Sequence, residues 1–164
     1  MESIKKDVME LLKENSRTSA ADMAVMLNAE EQAVLEAIRA LEDEKLILKY
    51  TAILNEEKLA DSHAVTALIE VRVSPMREMG FDAIARRIYR FEEVESVFLM
   101  SGAYDLMVLI KGDSMRQIAF FVAQKLATID GVLSTATHFV LKKYKELGVV
   151  FETAEEEARL PVTP

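Results

Sequence analysis

The stretch that decides the C-terminal fold is Val97-Phe98-Leu99-Met100-Ser101-Gly102-Ala103-Tyr104-Asp105-Leu106-Met107-Val108-Leu109-Ile110. Two apolar runs of this length on either side of a glycine turn predict the two buried strands of a hairpin. Asp105 lies at the start of the second strand, where a carboxylate is costly unless a partner satisfies it. Two interpretations stay open: Asp105 contacts a ligand, or it caps the turn through the backbone, as Asp often does.

The composition of the 164-residue chain fits one ordinary domain or two small ones, and 51% apolar residues are enough for a real core. There is no cysteine, which excludes disulfides and cysteine-based zinc sites and fits a reducing cytoplasm. No apolar run reaches the roughly 20 residues needed to span a bilayer, so we expect a cytoplasmic protein without membrane contact. The net charge of −8 argues against a general polyanion binder, but a multimer can still bind DNA through one local surface.

Residues 1–54 have the pattern of a winged helix-turn-helix domain, in which three helices are followed by a strand. Apolar residues at helical spacing predict a first helix, a second helix over 20–27 capped by Ser19, and a third helix over 30–44. Residues 46–54 then have strand character and would form the wing.

The third helix is the element that would enter the major groove of DNA. The residues that it presents outward are Gln32, Leu35, Glu36 and Arg39. Glutamine suits adenine, and arginine suits guanine or phosphate. The other candidates for DNA contact are Arg17, Thr18, Ser19 and Lys49. The charge of this helix disagrees with DNA binding. Residues 30–44 carry six acidic residues and one basic residue, and acidic side chains repel phosphate. The alternative is a winged helix that has lost DNA binding and serves as a dimerisation or protein-contact arm.

Residues 55–63 have the polar composition of a linker, and residues 64–145 have the order β-α-β-β-α-β of a ferredoxin-like domain. The strands are predicted over 64–73, 97–100, 106–110 and 132–141, and the helices over 81–91 and 115–128. The predicted fold class is therefore α+β. Residues 146–164 contain three consecutive glutamates and are expected to form an acidic, mostly solvated and partly disordered tail.

The strands of the ferredoxin-like domain are apolar on both faces, unlike a sheet with one solvated face. In the third strand, Leu106, Val108 and Ile110 share one face while Met107 and Leu109 occupy the other. The two helices cover one face only, so the second face needs a partner. A second copy of the chain is the simplest partner, which predicts a symmetric dimer or a larger ring.

No pattern of residues indicates an enzyme. His63 in the linker and His138 in the last strand have no metal-ligand spacing, and there is no glycine-rich phosphate loop. We therefore expect no catalysis, no metal and no cofactor. An enzyme with His138 as acid or base is kept as an alternative, and it requires His138 to face Asp105.

The chain resembles the Lrp/AsnC (feast/famine) family of transcription regulators over about residues 4–145. The resemblance rests on the helix-turn-helix, the run Ala40-Leu41-Glu42-Asp43-Glu44-Lys45-Leu46-Ile47 leading to Tyr50-Thr51-Ala52-Ile53-Leu54, the spacing to Gly102-Ala103-Tyr104-Asp105, and the segment Gly131-Val132-Leu133-Ser134-Thr135-Ala136-Thr137. It implies a DNA-binding regulator whose C-terminal domain senses a small molecule, usually an amino acid. It also implies homodimers, formed through the sheets and the wing strands, that assemble into an octamer. The acidic third helix departs from the family, whose members usually carry several basic residues there.

The resemblance also implies a place for the effector, between dimers, against the glycine turn and the last strand. Carried onto this chain, the effector-binding residues are Ser101, Gly102, Ala103, Tyr104, Asp105, Thr135 and Thr137. The chemistry agrees, because Asp105 can pair with an ammonium group, while backbone N–H groups near Gly102 and threonine hydroxyls can hold a carboxylate. The alternative is that Thr135 and Thr137 are present because threonine suits a strand.

Overall fold

The computed structural model describes residues 2–59, 64–74 and 80–151, and the chain divides into two compact units, Met1–Leu54 and Asn55–Pro164. The first unit consists of α1 (Glu2–Glu14), α2 (Ala20–Leu27) and α3 (Glu31–Asp43). The apolar residues that form its core are Val8, Met23, Ala24, Val34, Ala37 and Leu41. These side chains recur at helical spacing, and the three predicted helices are confirmed.

A tight turn joins α2 to α3. The hydroxyl of Ser19 caps α2, accepting from the N–H of Asp22 at 3.1 Å and donating to its carboxylate at 2.6 Å. Asn28 ends α2 in the left-handed conformation, with φ of 47°, and its N–H donates to carbonyl groups of the last turn. Glu30 follows in extended conformation. The geometry is that of a helix-turn-helix.

Residues 46–54 do not form the predicted strand, so that prediction was wrong for the single chain. The segment has no regular secondary structure, and it has no sheet partner among the described residues, without which its backbone groups cannot form a ladder. Tyr50 holds the segment to α3 by donating to Oε1 of Glu42 at 2.9 Å. Burial, together with the hydrogen bond and charge of that carboxylate, raises the pKa of Tyr50. Leu48 and Leu54 remain exposed.

The second unit contains an antiparallel four-stranded sheet with both helices on one face. Its elements are β1 (Val65–Val73), α4 (Gly80–Ile88), β2 (Val94–Leu99), β3 (Leu106–Gly112), α5 (Met115–Phe121) and β4 (Val132–Phe139). The strand order is β2-β3-β1-β4, so the predicted ferredoxin-like fold is confirmed. The core consists of Ala67, Ile69, Val71, Val73, Ile84, Ile88, Leu106, Val108, Ile110, Ile118, Phe121 and Leu126. α5 continues as a π-helical segment, Val122–Leu126, instead of a regular helix to residue 128.

The face of the sheet away from the helices, which we call the open face, carries apolar side chains from β1, β2 and β3 beside polar ones such as Glu70 and His138. It is therefore less apolar than the sequence predicts. The register aligns Phe98, Met107 and Glu70 in one row across β2, β3 and β1, and Leu109 with Leu68 in the next. These residues alternate with buried ones, so their side chains lie on the open face. Phe98 is 53% exposed, which leaves its ring without full cover from the described residues of the chain.

The edge strands differ from the predictions. β2 begins at Val94, and Phe98 and Leu99 are exposed, whereas the sequence predicts a buried strand over 97–100. The reason is that β2 has one neighbouring strand, and its open face lacks full cover from the residues that the structure describes. β4 is the other edge strand, and it ends at Phe139, two residues earlier than predicted. Among the helices, α4 ends at Ile88, three residues earlier than predicted.

The segment predicted to be a linker packs partly on the second unit. A 3-10 turn, Glu56–Lys58, opens it, and the Glu56 carboxylate forms an ion pair with Lys111 of β3. Residues 60–63, among them His63, lie outside the described residues. In the part of the chain that is described, no helix combines the length and the apolar character that crossing a bilayer requires.

The first residues of the predicted tail have regular structure, which the sequence did not indicate. They form a hairpin of β5 (Lys145–Glu146) and β6 (Val149–Val150). Leu147 and Gly148 make the two-residue turn, and both have positive φ, as a tight hairpin requires. The rest of the predicted tail, residues 152–164, lies outside the described residues.

Candidate DNA-binding surface and effector site

α3 presents a polar stripe to solvent, opposite its buried face. The stripe consists of Gln32, Glu36, Arg39 and Asp43, which recur at helical spacing and are all exposed. The Nε2 atom of Gln32 donates to Oε1 of Glu36 at 3.1 Å. The structure therefore places the predicted contacts Gln32 and Arg39 on one surface, together with two acids. The sequence also predicts that Glu36 faces outward on this helix. Asp43 was not predicted there, although the same helical spacing identifies it.

The other predicted DNA contacts lie outside α3. Arg17 and Thr18 are in the loop before α2, where they line a shallow groove with residues of α2. The hydroxyl of Ser19 is engaged in the cap of α2. Lys49 is exposed in the irregular segment after α3. The candidates thus fall into three groups: the α3 stripe, the loop before α2, and the segment after α3.

The charge of the first unit is negative. Residues 1–54 contain seven Lys or Arg and eleven Asp or Glu. Two of the acids are paired, Glu44 with Lys5 at 2.5 Å and Glu10 with Lys13 at 3.1 Å. Because phosphate contacts supply much of the affinity for DNA, a single subunit with this charge is expected to bind DNA weakly.

Asp105 ends the turn between β2 and β3 and holds the end of β1. Its N–H donates to the carbonyl oxygen of Val71 at 3.1 Å, and its Oδ2 accepts from the N–H of Val73 at 2.8 Å. The register of β1 and β4 shifts between Arg72 and Val73, so Asp105 caps an irregular strand end. The side chain of Asp105 therefore caps the end of β1 and not its own turn, which corrects the capping interpretation. Contact of Asp105 with a ligand stays a prediction.

The rest of the turn is open to solvent. Ser101, Gly102 and Ala103 are exposed, and Tyr104 is partly buried. A Cβ placed on Gly102 would meet no described atom within 4 Å. A small molecule can therefore approach this backbone closely.

Thr135 and Thr137 are partly buried on β4, opposite Val71 and Ile69 of β1. Residues directly opposite each other share a face, so both threonines lie on the helix-covered side at the edge of the sheet. β1 separates them from the 101–105 turn by two strand spacings, about 10 Å. Thr135 and the turn lie at the same end of the sheet, but they do not form one enclosed site within a single chain.

His138 lies on the open face, where its Nε2 is 3.3 Å from Oε1 of Glu70. Its side chain is 58% exposed. In the sheet register, His138 lies opposite Leu68 of β1. Leu68 is three residues from Val71, whose carbonyl oxygen accepts from the N–H of Asp105. His138 does not face Asp105, so the arrangement that the enzyme alternative requires is not formed. Within the described residues, no group of three or more His, Asp or Glu side chains is arranged to hold a metal ion.

Two family models match the chain. The family described as "Winged helix-turn-helix DNA-binding" matches residues 1–47, which contain α1, α2 and α3. The family described as "Lrp/AsnC ligand binding domain" matches residues 66–150, which contain almost the whole second unit as the structure describes it.

Relatives match over nearly the full length. The uncharacterized HTH-type transcriptional regulator YugG of Bacillus subtilis (strain 168) is 49% identical over 158 residues, 96% of this chain and 95% of that protein. The proline dehydrogenase transcriptional activator of Rhizobium radiobacter is 26% identical over 142 residues, 87% of this chain and 90% of that protein. The transcriptional regulator NMB0573 of Neisseria meningitidis, solved as an L-Met complex, superposes with a TM-score of 0.71 at 23% identity over 87% of this chain and 91% of that chain. The chain therefore belongs to the Lrp/AsnC family of transcription regulators.

Proposed function

We propose that this regulator binds double-stranded DNA through α3 and senses an amino acid in its second unit. It acts in the cytoplasm as a homodimer that assembles into an octamer, and it has no catalytic activity. The observation that carries the proposal is the combination on one chain of a helix-turn-helix with an exposed polar stripe and a sheet unit whose 101–105 turn offers open backbone beside a carboxylate.

DNA binding follows from the docking geometry of a helix-turn-helix, in which the N-terminal part of the second helix contacts base edges. In this chain that helix is α3, and Gln32 lies in its first turn. Arg39 lies farther along the same stripe and suits guanine or phosphate. Arg17 and Thr18 precede α2, the helix that crosses the DNA backbone in this geometry. Because the first unit is negatively charged, tight binding to DNA requires two subunits that contact two half-sites together.

An amino acid fits the chemistry of the second unit, because it carries an ammonium group and a carboxylate. Asp105 can pair with the ammonium group through the oxygen that does not cap β1. Open backbone near Gly102 and the hydroxyls of Thr135 and Thr137 can donate to the carboxylate. The L-Met bound to the structurally similar NMB0573 supports this class of ligand. Since the turn and the threonines of one chain are about 10 Å apart, residues from a second copy are expected to complete the site.

The open face supports the homodimer. Phe98, Met107, Leu109 and Leu68 form an apolar surface on the side of the sheet that none of the described helices covers. A two-fold axis lets the same surface of another copy bury it, with every contact made twice. Exposed Leu48 and Leu54 after α3 offer a second apolar surface for the same assembly.

The effector site is tested by a thermal-shift screen of the twenty amino acids, followed by calorimetric titration of those that raise the melting temperature. Thr137→Val removes a hydroxyl but keeps the shape of the side chain, and we expect it to weaken binding at least about fivefold, the loss of one hydrogen bond. Ser134→Ala removes a hydroxyl from the other face of the same strand and serves as the matched control. Equal effects of the two variants, or no response to any amino acid, would contradict the proposed site.

A second function is favoured by the charge of the first unit: a ligand-sensing or assembly protein of the same fold without specific DNA binding. The seven bases and eleven acids of residues 1–54 and the two acids on the α3 stripe are its support. DNA binding measured at low salt separates the two functions. Salt screens charges least under this condition, so both the repulsion of phosphate by the acids and its attraction by the bases are at their strongest. Binding at low salt supports the regulator, and no binding supports the sensing or assembly protein.

A further inference from the structure

Glu36 is a negative side chain in the middle of the surface that would face DNA bases. We propose that Glu36 selects cytosine at one position of each operator half-site, by accepting a hydrogen bond from the N4 amino group of that base in the major groove. The inference rests on the proposed DNA binding through α3 and adds a specificity-determining residue to it.

The packing of α3 fixes the direction in which Glu36 points. Val34, Ala37 and Leu41 are 0%, 4% and 2% exposed and hold one side of the helix in the core. Glu36 is exposed on the opposite side, one turn after Gln32. Rotating α3 to turn Glu36 away from DNA would take three core residues out of the core. The Glu36 carboxylate therefore faces the partner that binds the exposed stripe of α3.

The chemistry of base edges makes a carboxylate selective. A carboxylate only accepts hydrogen bonds. In the major groove, guanine presents the acceptors N7 and O6 and thymine presents O4, so both repel it. Adenine presents an amino group beside the acceptor N7, whereas cytosine presents the N4 amino group alone. Cytosine is therefore the base that satisfies Glu36 without placing an acceptor against it.

Gln32 acts as a positioning residue for this contact. Its Nε2 donates to Oε1 of Glu36 at 3.1 Å, so one oxygen of the carboxylate is engaged and the side chain is held in place. The second oxygen of Glu36 then remains for the base. Gln32 keeps one N–H donor and its Oε1 acceptor, the pair that binds adenine, so we expect adenine beside the selected cytosine.

The test is selection of bound duplexes from a randomised pool by the full-length protein, its Glu36→Gln and Glu36→Ala variants, and Asp43→Asn as control. Asp43 is also an exposed acid on the α3 stripe, about 10 Å farther along the helix. Glu36→Gln and Asp43→Asn each remove one negative charge, so both should strengthen binding to random DNA to a similar extent. Only the Glu36 variants should change the preference for a base.

We expect the wild type and Asp43→Asn to prefer cytosine about tenfold over guanine or thymine at one position, and both Glu36 variants to reduce this preference below about threefold. Unchanged preferences at the other positions would show that the variants are folded and docked as the wild type is. Identical base preferences in the wild type and both Glu36 variants would overturn the role of Glu36 and leave DNA binding standing. A wild type that enriches no sequence even at low salt would overturn the proposed DNA-binding function, and the role of Glu36 with it.

Discussion

Replacing Phe98 by alanine should weaken the proposed dimer. Phe98 is 53% exposed in the single chain, so about 100 Å² of the roughly 200 Å² of a phenylalanine is available for burial. At about 25 cal/mol per Å², this surface is worth about 2.5 kcal/mol in each copy and about 5 kcal/mol in a two-fold dimer. Association costs offset part of the gain, and alanine keeps a little of the surface. We therefore expect a loss of at least about 3 kcal/mol, which raises the dimer Kd about a hundredfold.

Sedimentation velocity over a wide range of protein concentration measures this Kd. Tyr89→Ala is the matched control, because Tyr89 is 56% exposed and follows α4 in the layer of helices. It offers a similar area on the side of the unit away from the open face. We expect Tyr89→Ala to dimerise as the wild type does. A Phe98→Ala variant with the Kd of the wild type, or equal weakening by both variants, would refute burial of the open face as the basis of the dimer.

Three further variants test single contacts. Asp105→Asn removes the charge from the hydrogen bond that caps β1, so we expect the free energy of unfolding in urea to fall by about 1 kcal/mol and calorimetric binding of the amino acid to be lost. The hydrogen bond from Lys125 lowers the pKa of Glu93 below its usual 4.5, so the ion pair stabilises the fold above that pH and is lost as the pH falls through the lowered pKa. Because the pair is partly exposed, Glu93→Gln should cost about 0.5 kcal/mol at neutral pH, and urea titrations should show the difference closing in acid. Gly131→Ala should cost about 1–2 kcal/mol, because φ is +94° and the new Cβ would press on Ile84 at 2.8 Å; a melting temperature equal to that of the wild type would contradict this.

The helices and central strands could be predicted from the sequence because their signal is local. The spacing of buried residues in α2 and α3 and the apolar runs of β1 and β3 each specify an element without reference to its neighbours. Residues 46–54 have the same strand-like composition but no partner among the described residues, and pairing is a property of distant segments. The exposure of β2 depends on its place at the edge of the sheet, which the sequence of the strand does not encode.

The positions of the candidate DNA-binding and effector residues could also be predicted only where they depend on local spacing. Gln32 and Arg39 follow from helical spacing, and they lie on one exposed stripe. The hydrogen bond from the N–H of Val73 to the carboxylate of Asp105 joins residues 32 positions apart, so no local pattern indicates it. The place of Thr137 on the helix-covered face depends on the register between β1 and β4, which is also non-local.

The measurement that tests the central claim most directly is a mobility shift with DNA from the region upstream of the protein's own coding sequence, at low and moderate salt, with and without a mixture of amino acids. The protein must first be shown to be folded and oligomeric. We predict a specific shift that competitor DNA of random sequence does not remove and that one amino acid alters. The absence of a shift at low salt would contradict DNA binding through α3, and the sensing or assembly function would then replace it.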